Sequence, residues 1–384
     1  MSSNNKFDVI VIGAGVFGSW IANFLQRSGR NVLILDAYGP ANSRASSGGE
    51  SRIIRMGYGP DELYTRWSMR SLPAWEELNA STGAKIFHRT GVLWLSPKDN
   101  AYTHQTLDVL KKTGVPHELM NADDVRRRYP QISIPDDAMA FLETTSGAIM
   151  ARRAVELVVA ETVRKGAEYR SEFVETPSGE GRLTSIRARN GEQFSADTFL
   201  FACGPWLPAI FPNLLGDRIF PTRQEVFFFG VPPGDTRFSP PALPTFLDRF
   251  REYYGVPSLE GRGLKAASDE HGARANPDSQ ERIPTAEAIA HARKYVAERF
   301  PGLKDAPIVE TRICQYENTS SGDFLIDKHP DFENVWLVGG GSGHGFKHGP
   351  ALGEYVTEKI NQGGSIEPRF LLAAKQTVKA RAVY

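Results

Sequence analysis

The chain has 384 residues, more than one simple core accommodates, and suits a protein of two domains. Its 45 Lys and Arg balance 45 Asp and Glu, so no global field draws it to nucleic acid or to an anionic membrane. Two cysteines, Cys203 and Cys314, with no C-x-x-C pair, exclude a disulfide framework and a cysteine-based metal or redox site.

The first residues lead into a strand with no signal-peptide pattern, and the longest apolar runs are strand-sized, short of the ~20 residues a bilayer span needs. The expectation is a soluble, monomeric, cytoplasmic protein. Phe7–Ile12 reads as a buried parallel strand. Val16–Gln26 has helical spacing, Ser28-Gly29 stops it, and Asn31–Leu35 reads as the next strand, so the chain opens on a βαβ unit. Asp61–Leu78 is helical in pattern, Ile86–Leu95 reads as a short hairpin, and Ala101–Lys112 and Asp123–Arg128 read as helices. Ala151–Lys165 is a further helix, ended by Gly166, and Leu183–Ala188 and Thr198–Ala202 read as strands.

From Ile219 to Ala267, short β-like runs punctuated by Pro and Gly predict an antiparallel sheet. Glu270–Arg282 is polar and reads as a surface loop, and Thr285–Phe300 as an amphipathic helix. Val335–Val338 is a last buried strand before a Gly-rich turn and a helix around Leu352–Ile360. Parallel-type strands at the beginning, middle and end, with β-rich segments between, predict an α/β fold in discontinuous pieces. A Rossmann-like nucleotide domain is expected from residues 1–84, 147–220 and 322–384. An α+β substrate domain with a mixed or antiparallel sheet is expected from 85–146 and 221–321.

Three motifs carry chemistry. In Gly13-Ala14-Gly15-Val16-Phe17-Gly18, Gly13 permits a tight turn, Gly15 lets a pyrophosphate approach, and Gly18 allows close helix–strand packing. Asp36 ends the next strand about 20 residues on, where a ribose contact belongs, and an acid there disfavours a 2′-phosphate. FAD and NAD both remain open at this point. Ser46-Ser47-Gly48-Gly49-Glu50-Ser51-Arg52-Ile53-Ile54-Arg55 follows the ribose strand; it offers free amides and two arginines spaced to point the same way. Gly341-Ser342-Gly343-His344-Gly345-Phe346-Lys347 lies between a strand and a helix, where amides stabilise developing negative charge. His344 and His348 have ligand spacing but no third ligand nearby, so no metal is expected. A lone Cys is ordinarily an inert buried hydrophobe, the reading given to Cys203.

These motifs, with Tyr253-Tyr254-Gly255, Gly263-Leu264-Lys265, Cys314-Gln315-Tyr316 and Phe324-Leu325-Ile326-Asp327, resemble the monomeric sarcosine oxidase family over nearly the whole chain. That family also includes the N-methyltryptophan, pipecolate and fructosyl amino acid oxidases. The resemblance implies FAD, held covalently through Cys314. It implies that Arg55 and Lys347 bind a substrate carboxylate, Tyr254 lines the pocket, Arg52 lies against the flavin, and Lys265 activates O₂. Gly13, Gly15, Val16, Phe17, Gly18, Asp36, Ser46, Ser47, Ser51, Arg52 and the residues Gly341, Gly343, His344, Gly345, Phe346 and Lys347 would surround the cofactor. The stretch after Lys265 departs from the family's aromatic–His pattern, reading Ala266-Ala267-Ser268-Asp269-Glu270-His271. The implied activity is oxidation of a carboxylate-bearing secondary amine to an imine, with O₂ reduced to hydrogen peroxide. A fructosyl amino acid oxidase, a flavin dehydrogenase with another acceptor, and an NAD-dependent dehydrogenase are the alternatives.

Overall fold

The computed structural model describes residues 6–376, so the readings at residues 1–5 and 377–384 lie outside it. Two large sheets and one small one organise the chain. The first runs in the order Leu325–Lys328, Val335–Gly339, Gln193–Phe201, Phe7–Ile12, Val32–Asp36, Glu168–Ser171. Its central strands pair in parallel, and Leu325–Lys328 closes one edge antiparallel. Helices Val16–Arg27, Ala151–Arg164 and Gly349–Gln362 cover one face, and Leu207, Phe211, Leu215 and Phe332 pack on the other, which explains why those strands are apolar on both sides. The packing is close enough that a Cβ on Gly353 would fall 2.8 Å from the backbone of Trp20.

The second sheet forms a roof. Its order is Ile308–Thr319, Ile219–Phe229, Leu264–Ser268, Tyr253–Val256, Thr245–Asp248, Val92–Pro97, Ala138–Glu143, His117–Asn121. All neighbours are antiparallel except Thr245–Asp248 against Val92–Pro97. The two-residue period of each strand sorts its side chains. Leu93, Phe227, Phe229, Phe246, Tyr253, Leu264 and Ala266 pack outward in one core with Ala292, Tyr295 and Val296 of the helix Ala286–Arg299. Trp94, Phe141 and Leu247 turn inward to the core of the first layer. Val226, Phe228, Ala267 and Tyr254 form a smaller cluster on that inner face.

The expected hairpin over Ile86–Leu95 does not form. Phe87–His88 pairs with Gly147–Ile149 in the small sheet, whereas Val92–Pro97 joins the roof. Gly91, at φ +72°, is the bend that separates the two destinations. Glu270–Arg282 contains no helix or strand and is mostly exposed. It also has a structural task, since Asp278 accepts hydrogen bonds from Tyr38 and from the Trp206 indole. Among the described residues no helix is long and apolar enough to cross a membrane.

Candidate active site

A cleft of about 490 Å³ opens between the first sheet and the roof. Its floor is built by the turn after the first strand. Gly13 sits at φ +104°, and a Cβ there would meet Ala202 O at 2.4 Å, so the position accepts only glycine. Gly15 caps the helix Val16–Arg27 with no side-chain bond, leaving the helix N-terminus open to the cleft, although Ser47 Oγ already accepts from Val16 N–H at 3.1 Å. Gly18 does not line the cleft; a Cβ there would fall 1.9 Å from Gly13 O, so its part is packing.

Asp36 stands on the cleft wall, its carboxylate accepting from Ala14 N–H at 2.7 Å and Tyr38 N–H at 2.9 Å. Burial pushes its carboxyl above the ordinary range, against those backbone donors. Ser46, Ser47, Arg52, Gly341, Gly343, Gly345 and Phe346 line the cleft as expected, whereas Ser51, Cys314 and Lys347, also expected at the cofactor, lie outside its lining. Ser46 Oγ and Glu317 Oε2, on the same wall, are buried without hydrogen-bond partners. A cleft with a glycine cradle, a helix N-terminus, an acid at the second strand and orphaned polar atoms fits a dinucleotide cofactor.

The roof and the floor exchange contacts at two places. Arg52 donates to Ser51 O at 2.8 Å, to Ser46 O at 2.6 Å and to the Cys314 sulfur at 3.3 Å. Lys265 Nζ donates to Ser51 O at 2.9 Å and lies 5.4 Å from the centre of the Tyr254 ring. Burial first, and then the charge of Arg52, lower the Lys265 ammonium from 10.5 to about 7.

Arg55 does not point with Arg52, because the strand Arg52–Ile54 alternates its side chains. It lies instead 4.3 Å from the Tyr58 ring centre and 5.2 Å from that of Trp94, and it donates to Gly57 O. Lys347 reaches the same place from the Gly-rich turn, donating to Tyr58 Oη at 2.7 Å and His344 O at 2.8 Å. Burial and the neighbouring Arg55 hold its ammonium well below the ordinary range. His344 was expected at the cofactor, but its ring lies outside the cleft lining. It stacks on Phe324 with centroids 5.0 Å apart and bonds Gly322 O at 2.9 Å. Cys203 was read as core; it lines the cleft, with its thiol held protonated by burial.

Sequence reasoning missed Glu143. It is fully buried and receives Met56 N–H at 2.6 Å, Gly57 N–H at 3.0 Å, the Trp94 indole at 2.8 Å and the Ser146 hydroxyl at 2.5 Å. This carboxylate fixes the loop that follows Arg55 to the roof. An acid closing the apolar strand Ala138–Glu143 was the available signal.

The FAD dependent oxidoreductase family matches residues 8–359 of the chain. The chain belongs to that family. This FAD dependent oxidoreductase is 31% identical over 365 residues to a monomeric sarcosine oxidase of Bacillus sp. (strain B-0618), covering 92% of each. Among solved structures, an L-proline dehydrogenase from P. horikoshii superposes with a TM-score of 0.81 at 22% identity, covering 94% of each chain. A fructosyl amine: oxygen oxidoreductase from Aspergillus fumigatus gives 0.78 at 20% identity, covering 97% of this chain and 90% of that one. These likenesses support the α/β architecture with its roofed nucleotide cleft. Membership in the FAD dependent oxidoreductases supports FAD as the cofactor over NAD.

Proposed function

We propose that the protein oxidises a carboxylate-bearing secondary amine, an N-methyl or cyclic amino acid, to its imine, with O₂ reduced to hydrogen peroxide. The observation that carries this reading is the meeting of Arg55 and Lys347 at Tyr58, beside the roof face that bears Tyr254 and Lys265. The kinship with a monomeric sarcosine oxidase supports the same substrate class. FAD, when bound, supplies the redox chemistry, taking a hydride from the carbon next to nitrogen and passing the electrons to O₂.

The protein's own side chains orient and charge the site. Arg55 offers a planar fork, and Lys347 a point charge, to the substrate carboxylate. Tyr254, half-buried on the inner face of the roof with Lys265 Nζ 5.4 Å from its ring, is assigned to the pocket wall. Lys265 supplies a positive charge where O₂ acquires negative charge. Arg52 donates to the Cys314 sulfur at 3.3 Å and so holds in place the atom assigned to covalent attachment of FAD. Asp36 is assigned to the adenosine ribose, and the amides after Gly13 to the pyrophosphate.

The test is a screen of N-methyl and cyclic amino acids beside the same amines without the carboxylate, read by peroxide formation. Turnover is expected only where the carboxylate is present. Equal turnover of the decarboxylated amines overturns the assignment of Arg55 and Lys347.

A further inference from the structure

The roof strand Leu264–Ser268 carries a third charged group toward the place where Arg55 and Lys347 meet. Leu264 and Ala266 face the outer core, while Lys265 reaches Ser51 and Ala267 joins Tyr254 on the inner face. Asp269 has the same parity as Lys265 and Ala267. Its N–H donates to Glu252 O at 2.7 Å, which extends the pairing with Tyr253–Val256 by one hydrogen bond past the strand end. Asp269 therefore turns inward with Lys265.

Its surroundings are those of a binding group. The cations acting on it are Arg55, Arg249 and Lys347, and Glu252 is the nearby like charge. Tyr102, Tyr254 and Tyr316 feel its field in turn. Two neighbours are unsatisfied: Tyr102 Oη and Arg249 Nε are buried with no hydrogen-bond partner. Buried polar groups left open in this way are ordinarily completed by water or by a ligand. Burial pushes the Asp269 carboxyl up to about 6, against the pull of Arg55 and Arg249.

Arg249 is paired with Glu252 at 2.8 Å, which leaves Arg55 and Lys347 as two cations facing one anion, Asp269. That set does not suit a simple carboxylate, which Asp269 would repel. It suits a zwitterion. We propose that Asp269 binds the substrate's ammonium group while Arg55 and Lys347 hold its carboxylate, and that Asp269 takes the ammonium proton to leave the neutral amine that oxidation requires. The nitrogen keeps the electron pair of the broken N–H bond, and the carboxylate becomes a carboxylic acid. No electrons change hands in this step. The charges of Arg55 and Lys347 weaken the ammonium's hold on its proton, and so assist the transfer. This inference rests on the proposed carboxylate site.

Acetate and glycine test it as an anion and a zwitterion of nearly equal size, with binding read anaerobically from the absorbance of the bound flavin. Asp269→Asn removes the charge and retains the shape. Acetate should then bind more tightly and glycine more weakly, each by at least about fivefold, the scale of a modest coupling between charged sites. The wild-type protein carries the same test without a mutation. As pH falls from 7 to 5.5 and Asp269 takes up its proton, acetate should tighten and glycine loosen. Any other pattern overturns the role of Asp269. Arg55→Met separates the two hypotheses: if it leaves acetate binding unchanged, the carboxylate site itself is wrong, whatever Asp269 does.

Discussion

Replacing Lys265 by Met retains the length of the side chain and removes the charge. Lys265 is only 3% exposed, and its ammonium titrates at about 7. At pH 6 about nine-tenths of the molecules then carry the charge, and at pH 8 about one-tenth. If the charge assists O₂, reoxidation of the reduced enzyme in air should fall about tenfold between those two pH values. In Lys265→Met it should be slower than wild type at pH 6 by ~10²–10³, the scale of a lost electrostatic donor, and should lose this pH dependence. Anaerobic reduction by substrate should change far less, because no anion forms near Lys265 in that half of the cycle. Folding stability adds a check of sign. Between pH 7 and 10.5 the unfolded lysine binds a proton that the folded one lacks, so this residue raises stability as pH rises through that window. Stopped-flow absorbance separates the two half-reactions. Equal losses in both, or a wild-type reoxidation rate that is level from pH 6 to 8, would refute the reasoning.

Cys314→Ala should abolish covalent attachment: acid precipitation of the wild-type protein should leave a yellow pellet and that of the variant a colourless one. A colourless wild-type pellet removes Cys314 from the cofactor. Glu143→Leu should destabilise the fold by at least about 3 kcal/mol in urea unfolding, since four buried donors lose their acceptor at ~1–3 kcal/mol each. It should also weaken acetate binding by displacing the loop that follows Arg55. A loss below about 1 kcal/mol would show that the loop is held by other contacts.

The opening βαβ unit of the first sheet was legible because each of its signals is local, whereas its edge strands Glu168–Ser171 and Leu325–Lys328 were not read as strands. Phe7–Ile12, the Gly13–Gly18 turn and Asp36 follow one another within a single βαβ unit, and each names its own place in the cleft. The roof strands were legible as strands but not as neighbours. Val92–Pro97 and Thr245–Asp248 pair in parallel across some 150 residues, and no local pattern announces such a partner. The same limit applied within the site. Arg55, Lys347 and Lys265 were named from motifs, whereas the contacts of Glu143 exist only once the loop after Arg55 meets the roof, and the role proposed for Asp269 depends on the same meeting. Asp269 nevertheless shared the two-residue rhythm of Lys265 and Ala267. The hairpin expected at Ile86–Leu95 failed for a related reason, since the bend at Gly91 sends its two arms to different sheets.

Glu143 holds the loop through the N–H groups of Met56 and Gly57, not through their side chains. A main-chain donor is the same in every residue but proline, so this attachment is blind to most substitutions in the loop. The side chain of Met56 is buried among apolar neighbours, and other apolar residues of similar volume can replace it without touching the anchor. Gly57 has less freedom, because a Cβ there would fall 2.7 Å from both Thr106 and Trp94. Variation at position 56 is therefore free to repack the core beneath this loop while the course of the chain past Arg55 stays as it is.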